Sequence, residues 1–238
     1  MNCTFSRRRF LASVGTTAAG LVLGRDAHAT APPRESGLSF EGLMAGHEGF
    51  QRRSALQLPY DALPGFLSRE QLSSHYAEYA ALVTRLQAAE KALQTAQPDK
   101  YAELRRTQVA TANAVLLHEL YFSGLSATKV EPAGYIQGHM SEHMGSWESW
   151  QEDFRQCALA AKAWVALVYD PYDDRWHNAI MDSDDGGVWI GANPLAVCDV
   201  SAHAFDKDYQ SRDDYVTKFF DHVDWEEIAR RYRAVDRM

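Results

Sequence analysis

The chain has 238 residues and a formal net charge of −8, with 46% apolar and 11% aromatic residues. This is an ordinary globular composition with enough apolar side chains for a substantial core, as one domain or two small ones. The acidic balance excludes the basic surface that nucleic-acid binding requires, so we expect no nucleic-acid partner.

The first 29 residues are typical of an export signal. Arg7-Arg8-Arg9 precedes an apolar, small-residue run over 12–23, and Ala27-His28-Ala29 provides a cleavage site. The arginines followed by Phe10-Leu11 resemble a twin-arginine signal, which exports folded chains. The run is too short and too rich in small residues for stable membrane anchoring. We expect cleavage after Ala29 and a periplasmic or secreted protein. Cleavage removes four arginines and one aspartate, leaving 20 basic and 31 acidic residues and a net charge of −11.

After an N-terminal arm over 30–57, the sequence predicts a helical hairpin over 58–125. Apolar residues recur at helical spacing over 69–94 and again from about Tyr101 to Gly124. Pro98 separates the two patterns, because proline interrupts a helix interior. Two long helices joined by a short turn pack as an antiparallel pair.

The remaining part, over 126–238, mixes strands and shorter helices. Segments 163–169 and 177–181 have strand composition with turn residues between them, and 188–190 is either a third short strand or an irregular loop. A closing helical region follows over 213–235. The predicted fold class is therefore α+β: an N-terminal antiparallel helical hairpin, then a C-terminal α/β domain with a small, about three-stranded antiparallel sheet.

Two pairs of residues receive a structural interpretation. Cys157 and Cys198 are expected to be free, buried thiols, although one disulfide, or a metal-ligand role for Cys198, stays open. His139 and His143 lie four residues apart on a possible helix, and we interpret them as solvated histidines rather than as an ion site.

Four other residues offer metal-binding groups. Asp199 and His203 lie four residues apart and can reach one ion from the same face of a helical turn. His75 and His118 add imidazoles from the two predicted hairpin helices. Three imidazoles and one carboxylate suit iron, manganese or zinc and do not suit calcium.

The stretches around these residues resemble the iron/manganese superoxide dismutase family, from about Leu58 to Tyr232. The resemblance implies superoxide as the substrate, dismutated to dioxygen and hydrogen peroxide with one iron or manganese ion per chain. It also implies a set of metal ligands and a tryptophan beside the metal. The similar stretches are Leu58-Pro59-Tyr60-Asp61-Ala62-Leu63, Ser74-His75-Tyr76, Leu117-His118-Glu119-Leu120-Tyr121-Phe122 and Asp199-Val200-Ser201-Ala202-His203-Ala204. The implied ligands are His75, His118, Asp199 and His203, and the implied tryptophan is Trp164.

The chain departs from the family pattern around these ligands. The family's gateway histidine and tyrosine correspond to Tyr79 and Val83, and we expect Tyr76 or Tyr79 to substitute as a catalytic proton relay. The glutamine that orients the metal-bound solvent has no equivalent. The positions that correspond to it are Ala114 and either Asp184 or Asp185.

The expected subunit contact is altered as well. The family signature has tryptophan and glutamate where this chain has Ser201 and Ala202, and it also differs at Asp206. That glutamate reaches the ligand histidine of a neighbouring subunit, so we expect a homodimer, if formed, to have an altered interface. His203 then needs another partner for its second nitrogen. Together these losses leave open a dismutase-like metal-binding protein with lost or altered activity.

Overall fold

The computed structural model describes residues 55–236, and the helical hairpin comes first. Helix α1 spans Arg69–Leu93 and α2 spans Pro98–Ser123. The Ser68 side chain caps α1 by accepting a hydrogen bond from the Gln71 backbone N–H. Helix α2 begins earlier than predicted, because proline is well tolerated at the first helical position, where its missing N–H removes no intrahelical bond. The predicted hairpin is confirmed.

The second part contains four helices and one antiparallel sheet, as the predicted fold class requires. Short 3₁₀ turns follow the last strand and join the last two helices. The helices are α3 (Gly134–Met144), α4 (Trp147–Ala160), α5 (Arg212–Phe219) and α6 (Trp225–Val235), and the strands are β1 (Trp164–Asp170), β2 (Arg175–Met181) and β3 (Asn193–Asp199).

The sheet has the order β2-β1-β3, with β1 buried along its whole length. Its register pairs Trp164 with Asp199 across the β1–β3 ladder, so these side chains start at the same end of the sheet. The strand alternative for 188–190 is wrong, and the third strand is β3. Gly187 and Gly191 flank that segment with φ values of 110° and 97°, which turn the chain away from extended structure.

The hairpin and the second part share one apolar core. The buried Arg231 side chain on α6 links them by donating hydrogen bonds to the Leu120 carbonyl on α2 (3.0 Å) and the Leu195 carbonyl on β3 (2.6 Å). Its charge is paired with Glu227, 2.9 Å away. Arg231 therefore braces two of the elements that carry predicted metal ligands.

Several sequence predictions fall outside or only partly inside the described residues. The signal and nearly all of the arm lie before residue 55, and the domain boundary near residue 125 stays a prediction. Within 55–236, no helix combines the length and apolarity needed to cross a bilayer.

Cys157 and Cys198 are both free, as predicted, but only Cys198 is fully buried.

Candidate metal centre

The four predicted metal ligands converge from separate elements. His75 on α1 faces His118 on α2 with ring centroids 5.0 Å apart. Asp199 is the last residue of β3, and His203 lies in the 3₁₀ turn that follows. One donor atom from each side chain lies within 4.8 Å of the others. These four residues are hereafter the four-residue centre.

The Asp199 carboxylate faces all three imidazole rings. Its Oδ2 lies 3.1 Å from His75 Nε2, 3.1 Å from His203 Nε2 and 4.0 Å from His118 Nε2. Its Oδ1 accepts a hydrogen bond of 2.9 Å from the Ser201 backbone N–H, which fixes the carboxylate plane. The Asp199 side chain is fully buried, so this carboxylate charge needs compensation from the groups around it.

The tautomer of His118 is set by its own helix. Its Nδ1–H donates to the Ala114 carbonyl at 2.7 Å, so the neutral ring carries its lone pair on Nε2. That Nε2 atom is buried, and no residue within 55–236 hydrogen-bonds to it. A buried nitrogen lone pair aimed at a carboxylate is costly by itself and is satisfied by a cation.

Burial and neighbouring polar groups also set the protonation states of His118, Asp199 and His203. Without a metal, burial lowers the pKa of His118 to about 4, and the neighbouring His75 adds to this effect. Burial would raise the pKa of Asp199, but hydrogen bonds from His203 and His75 outweigh it, and the pKa lies well below its ordinary value. The hydrogen bond to Asp199 raises the pKa of His203. Near neutral pH, Asp199 is therefore ionised and His118 neutral, the forms that bind metals.

These donors fit a redox-active transition metal. Three imidazole nitrogens and one carboxylate oxygen form a mixed set that iron and manganese accept, whereas calcium prefers oxygen ligands alone. His75 and Asp199 are fully buried and His118 nearly so, while the His203 side chain is 34% exposed. The centre is therefore closed on the core side and open beside His203.

A cavity of about 490 Å³ reaches the centre from this open side. His118 and His203 form part of its wall, together with Trp164, Asp184 and Arg85. Trp164, the tryptophan that the resemblance implies beside the metal, meets the His118 ring edge-on at 4.9 Å. Its indole N–H donates to Asp184 Oδ1 at 2.8 Å.

The hydrogen bond to the Trp164 indole distinguishes Asp184 from Asp185, the two residues that the sequence left open at the position of the family's glutamine. Asp184 lines the cavity and contacts Trp164, whereas Asp185 accepts a hydrogen bond from Ser183 within its own turn. The alternative position, Ala114, contributes its carbonyl rather than a side-chain amide. Asp184 is thus the carboxylate beside the centre at the cavity wall.

The two tyrosines expected to relay protons point elsewhere. The Tyr79 ring stacks on His118 at 6.1 Å, but its hydroxyl donates to the buried Glu119 carboxylate at 2.7 Å. Tyr76 lines a separate cavity with Tyr60. Neither tyrosine is part of the cavity wall described above. Their catalytic role stays a prediction, and Val83, at the gateway tyrosine position, is buried in the core.

Sequence reasoning missed two residues near His203. Gln71 and Glu78 both contact it from α1, at 2.6 Å and 3.7 Å. Their spacing from His75, four residues before and three after, places all three on one helix face. That spacing is visible in the sequence, but the partner that the face contacts is not.

Comparison with known proteins agrees with this geometry. The family model described as iron/manganese superoxide dismutases, C-terminal domain, matches residues 132–231. The chain is 32% identical over 184 residues to manganese superoxide dismutase 2 of Haloferax volcanii, covering 74% of this chain and 92% of that protein. The chain belongs to the iron/manganese superoxide dismutase family.

Other members of the family carry either metal in their names. The iron superoxide dismutase of Cupriavidus metallidurans is 30% identical over 181 residues, covering 72% of this chain and 91% of that protein. The manganese superoxide dismutase of Haloarcula marismortui is 31% identical over 186 residues, covering 74% and 91%. Similarity therefore assigns the family without choosing between iron and manganese.

Proposed function

We propose that this protein is a superoxide dismutase that uses iron or manganese in the four-residue centre. Two superoxide ions and two protons give one dioxygen and one hydrogen peroxide, so electrons and protons balance without another reactant. The observation that carries the proposal is the convergence of three imidazole nitrogens on Asp199, with the His118 lone pair buried and unpaired within the described residues.

The chain's residues supply what this chemistry requires around the ion. An iron or manganese ion held by the four-residue centre would supply the one-electron redox chemistry that side chains do not provide. Asp199 and the imidazoles limit the net charge of the site. Trp164 closes one wall of the cavity, and its N–H holds Asp184 beside the approach to the centre.

Metal loading with an activity assay tests the proposal. The mature chain is stripped of metal, reloaded separately with iron and manganese, and assayed for superoxide decay. We expect activity in proportion to the loaded metal, at one ion per chain. A correctly loaded, monodisperse sample that is no faster than the free metal would overturn the proposal.

Export is the second part of the proposal. The arginines at 7–9, the apolar run over 12–23 and Ala27-His28-Ala29 support a twin-arginine signal and a periplasmic or secreted enzyme. We expect the exported protein to begin at Thr30. Cell fractionation of a variant with Arg8 and Arg9 both changed to lysine tests this, with full export of that variant as the contradicting result.

One set of observations favours a dismutase-like metal-binding protein with altered activity. Val83 is buried, and Asp184 places a carboxyl group where the family pattern has a neutral glutamine. A charged acceptor next to metal-bound solvent changes the acidity of that solvent and the metal potential. Stoichiometric metal binding without dismutation in the assay above would establish this second function.

A further inference from the structure

We infer that Gln71 and Glu78 position His203 from within the same chain. The inference rests on the proposed metal centre, because it concerns how one of its ligands is held. Gln71, His75 and Glu78 share one face of α1, and this face contacts the turn that carries His203. Helix α1 thus supplies one predicted metal ligand, His75, and two side chains that position a second one, His203.

Gln71 fixes the backbone of the turn. Its side-chain Nε2 donates to the His203 carbonyl at 2.6 Å, and its Oε1 accepts from the Lys207 backbone N–H at 2.9 Å. The Gln71 side chain is fully buried, with both ends of its amide hydrogen-bonded. A satisfied buried amide of this kind holds its partners in one geometry.

Glu78 faces the imidazole ring of His203. His203 Nε2 faces Asp199 Oδ2 at 3.1 Å, whereas His203 Nδ1, on the other side of the ring, lies 3.7 Å from Glu78 Oε2. A ligating imidazole nearly always donates its second N–H to a carboxylate or carbonyl, which sets its tautomer and strengthens it as a ligand. The half-exposed Glu78 carboxylate lies at ion-pair distance from this ring and is the carboxylate of α1 that faces it.

This arrangement has a consequence for assembly. Ala202, just before the ligand, is exposed and carries only a methyl group, so it offers no acceptor to a neighbouring copy. The carboxylate that faces His203 Nδ1 instead comes from Glu78 on α1 of its own chain. The centre is therefore complete in one chain, and metal retention is independent of dimer formation.

Manganese(II) affinity, measured by competition with a chelator on the full mature chain, tests the inference. We expect Glu78→Ala to weaken binding by about 10- to 100-fold, the usual effect of losing such a partner. Glu78→Gln keeps an oxygen acceptor and should recover part of this loss. Glu103→Ala, which removes an exposed carboxylate of the same kind on α2, is the matched control and should bind like wild type.

Two further readouts separate positioning from folding and assembly. Thermal unfolding of metal-free Glu78→Ala should match that of metal-free wild type, and the affinity loss should be equal in dilute and concentrated protein. Wild-type affinity in Glu78→Ala would overturn the inference alone. A wild-type chain that binds no metal would instead overturn the proposed function and the inference with it.

Discussion

The four-residue centre and a second cluster on α3 bring similar donors together in different ways. The second cluster, hereafter the α3 cluster, consists of His139, Glu142 and His143, whose donor atoms also lie within 4.8 Å of one another. Its residues all come from one helix, and Glu142 is exposed. The four-residue centre instead draws on two helices, a strand and a turn.

The ring nitrogens distinguish the two clusters. In the α3 cluster, His143 Nδ1 accepts a hydrogen bond from the Trp176 backbone N–H at 3.0 Å, so the neutral ring carries its proton on Nε2. His143 then has no lone pair left for a metal, whereas His139 Nδ1 is buried without a hydrogen-bond partner among the described residues. His118 shows the reverse: its Nδ1–H donates to a carbonyl, and the Nε2 lone pair is free to bind. His118 and His143 thus differ in the tautomer that the fold imposes, although the donor atoms of both clusters lie within the same distance of one another.

The α3 cluster has a structural role instead. His143 accepts from the edge of β2, and His139 stacks on the Trp176 ring at 5.2 Å and meets Tyr232 edge-on at 4.9 Å. The interpretation of this pair as solvated histidines is wrong, because both rings are half-buried and pack against β2 and α6. Their predicted helical spacing is correct.

Loss of the Asp199 carboxylate should have the largest effect on metal binding by the four-residue centre. In Asp199→Ala the carboxylate that faces all three imidazoles is lost, and we expect manganese(II) affinity to fall by more than about 100-fold, since even an outer partner is worth up to that factor. Asp61→Ala removes an exposed carboxylate that pairs with Arg69 and is the matched control. Metal content after gel filtration measures both. Metal retention in Asp199→Ala would refute the centre.

A matched histidine pair tests the tautomer argument directly. We expect His118→Gln to lose most of its metal, because a neutral imidazole lone pair is removed from the centre. His143→Gln should retain one ion per chain and lose about 1 kcal/mol of stability, since the Trp176 N–H loses its acceptor. Metal analysis and urea unfolding measure the two effects. A drop in stoichiometry in His143→Gln would show that the α3 cluster binds metal.

Particular residues show what the sequence could and could not provide. His75, His118, Asp199 and His203 were recognisable because each lies in a local pattern that resembles the family. The contact of Glu78 with His203 was not, because it depends on how α1 packs against a turn about 125 positions later in the chain. Similarly, Asp184 differs from Asp185 by its hydrogen bond to the Trp164 indole and its place in the cavity wall, and both depend on the folded chain.

The helical hairpin was predictable from apolar periodicity, whereas the third strand was not. The short apolar segment over 188–190 matches a strand pattern as well as β3 does, and periodicity alone does not distinguish them. The burial of Leu195–Asp199 against β1 decides between the two, and burial is a property of the folded chain. Tertiary packing thus fixed the elements that local composition left ambiguous.

The low pKa of His118 predicts a pH effect on the metal-free protein. Below its ordinary pKa of about 6.5, unfolded His118 takes up a proton that the folded chain accepts only near pH 4, so its contribution to stability is lost as pH falls through this window. His203, with its raised pKa, acts in the opposite direction. The difference between wild type and His118→Gln isolates the first effect, on the order of 1–3 kcal/mol. Parallel stability profiles for the two proteins from pH 7 to 4 would contradict it.

The smallest expected effect is at the cavity wall. Asp184→Asn keeps an oxygen that accepts from the Trp164 N–H but removes a negative charge from the approach to the centre. Because superoxide is an anion, we expect kcat/KM to rise by roughly two- to fivefold at low ionic strength and the gain to vanish as salt screens the charge. Stopped-flow assays at low and high salt measure this, with Glu103→Gln as the control. A fall in rate at every salt concentration would show that the Asp184 carboxylate takes part in the reaction itself, since loss of repulsion alone cannot slow an anionic substrate.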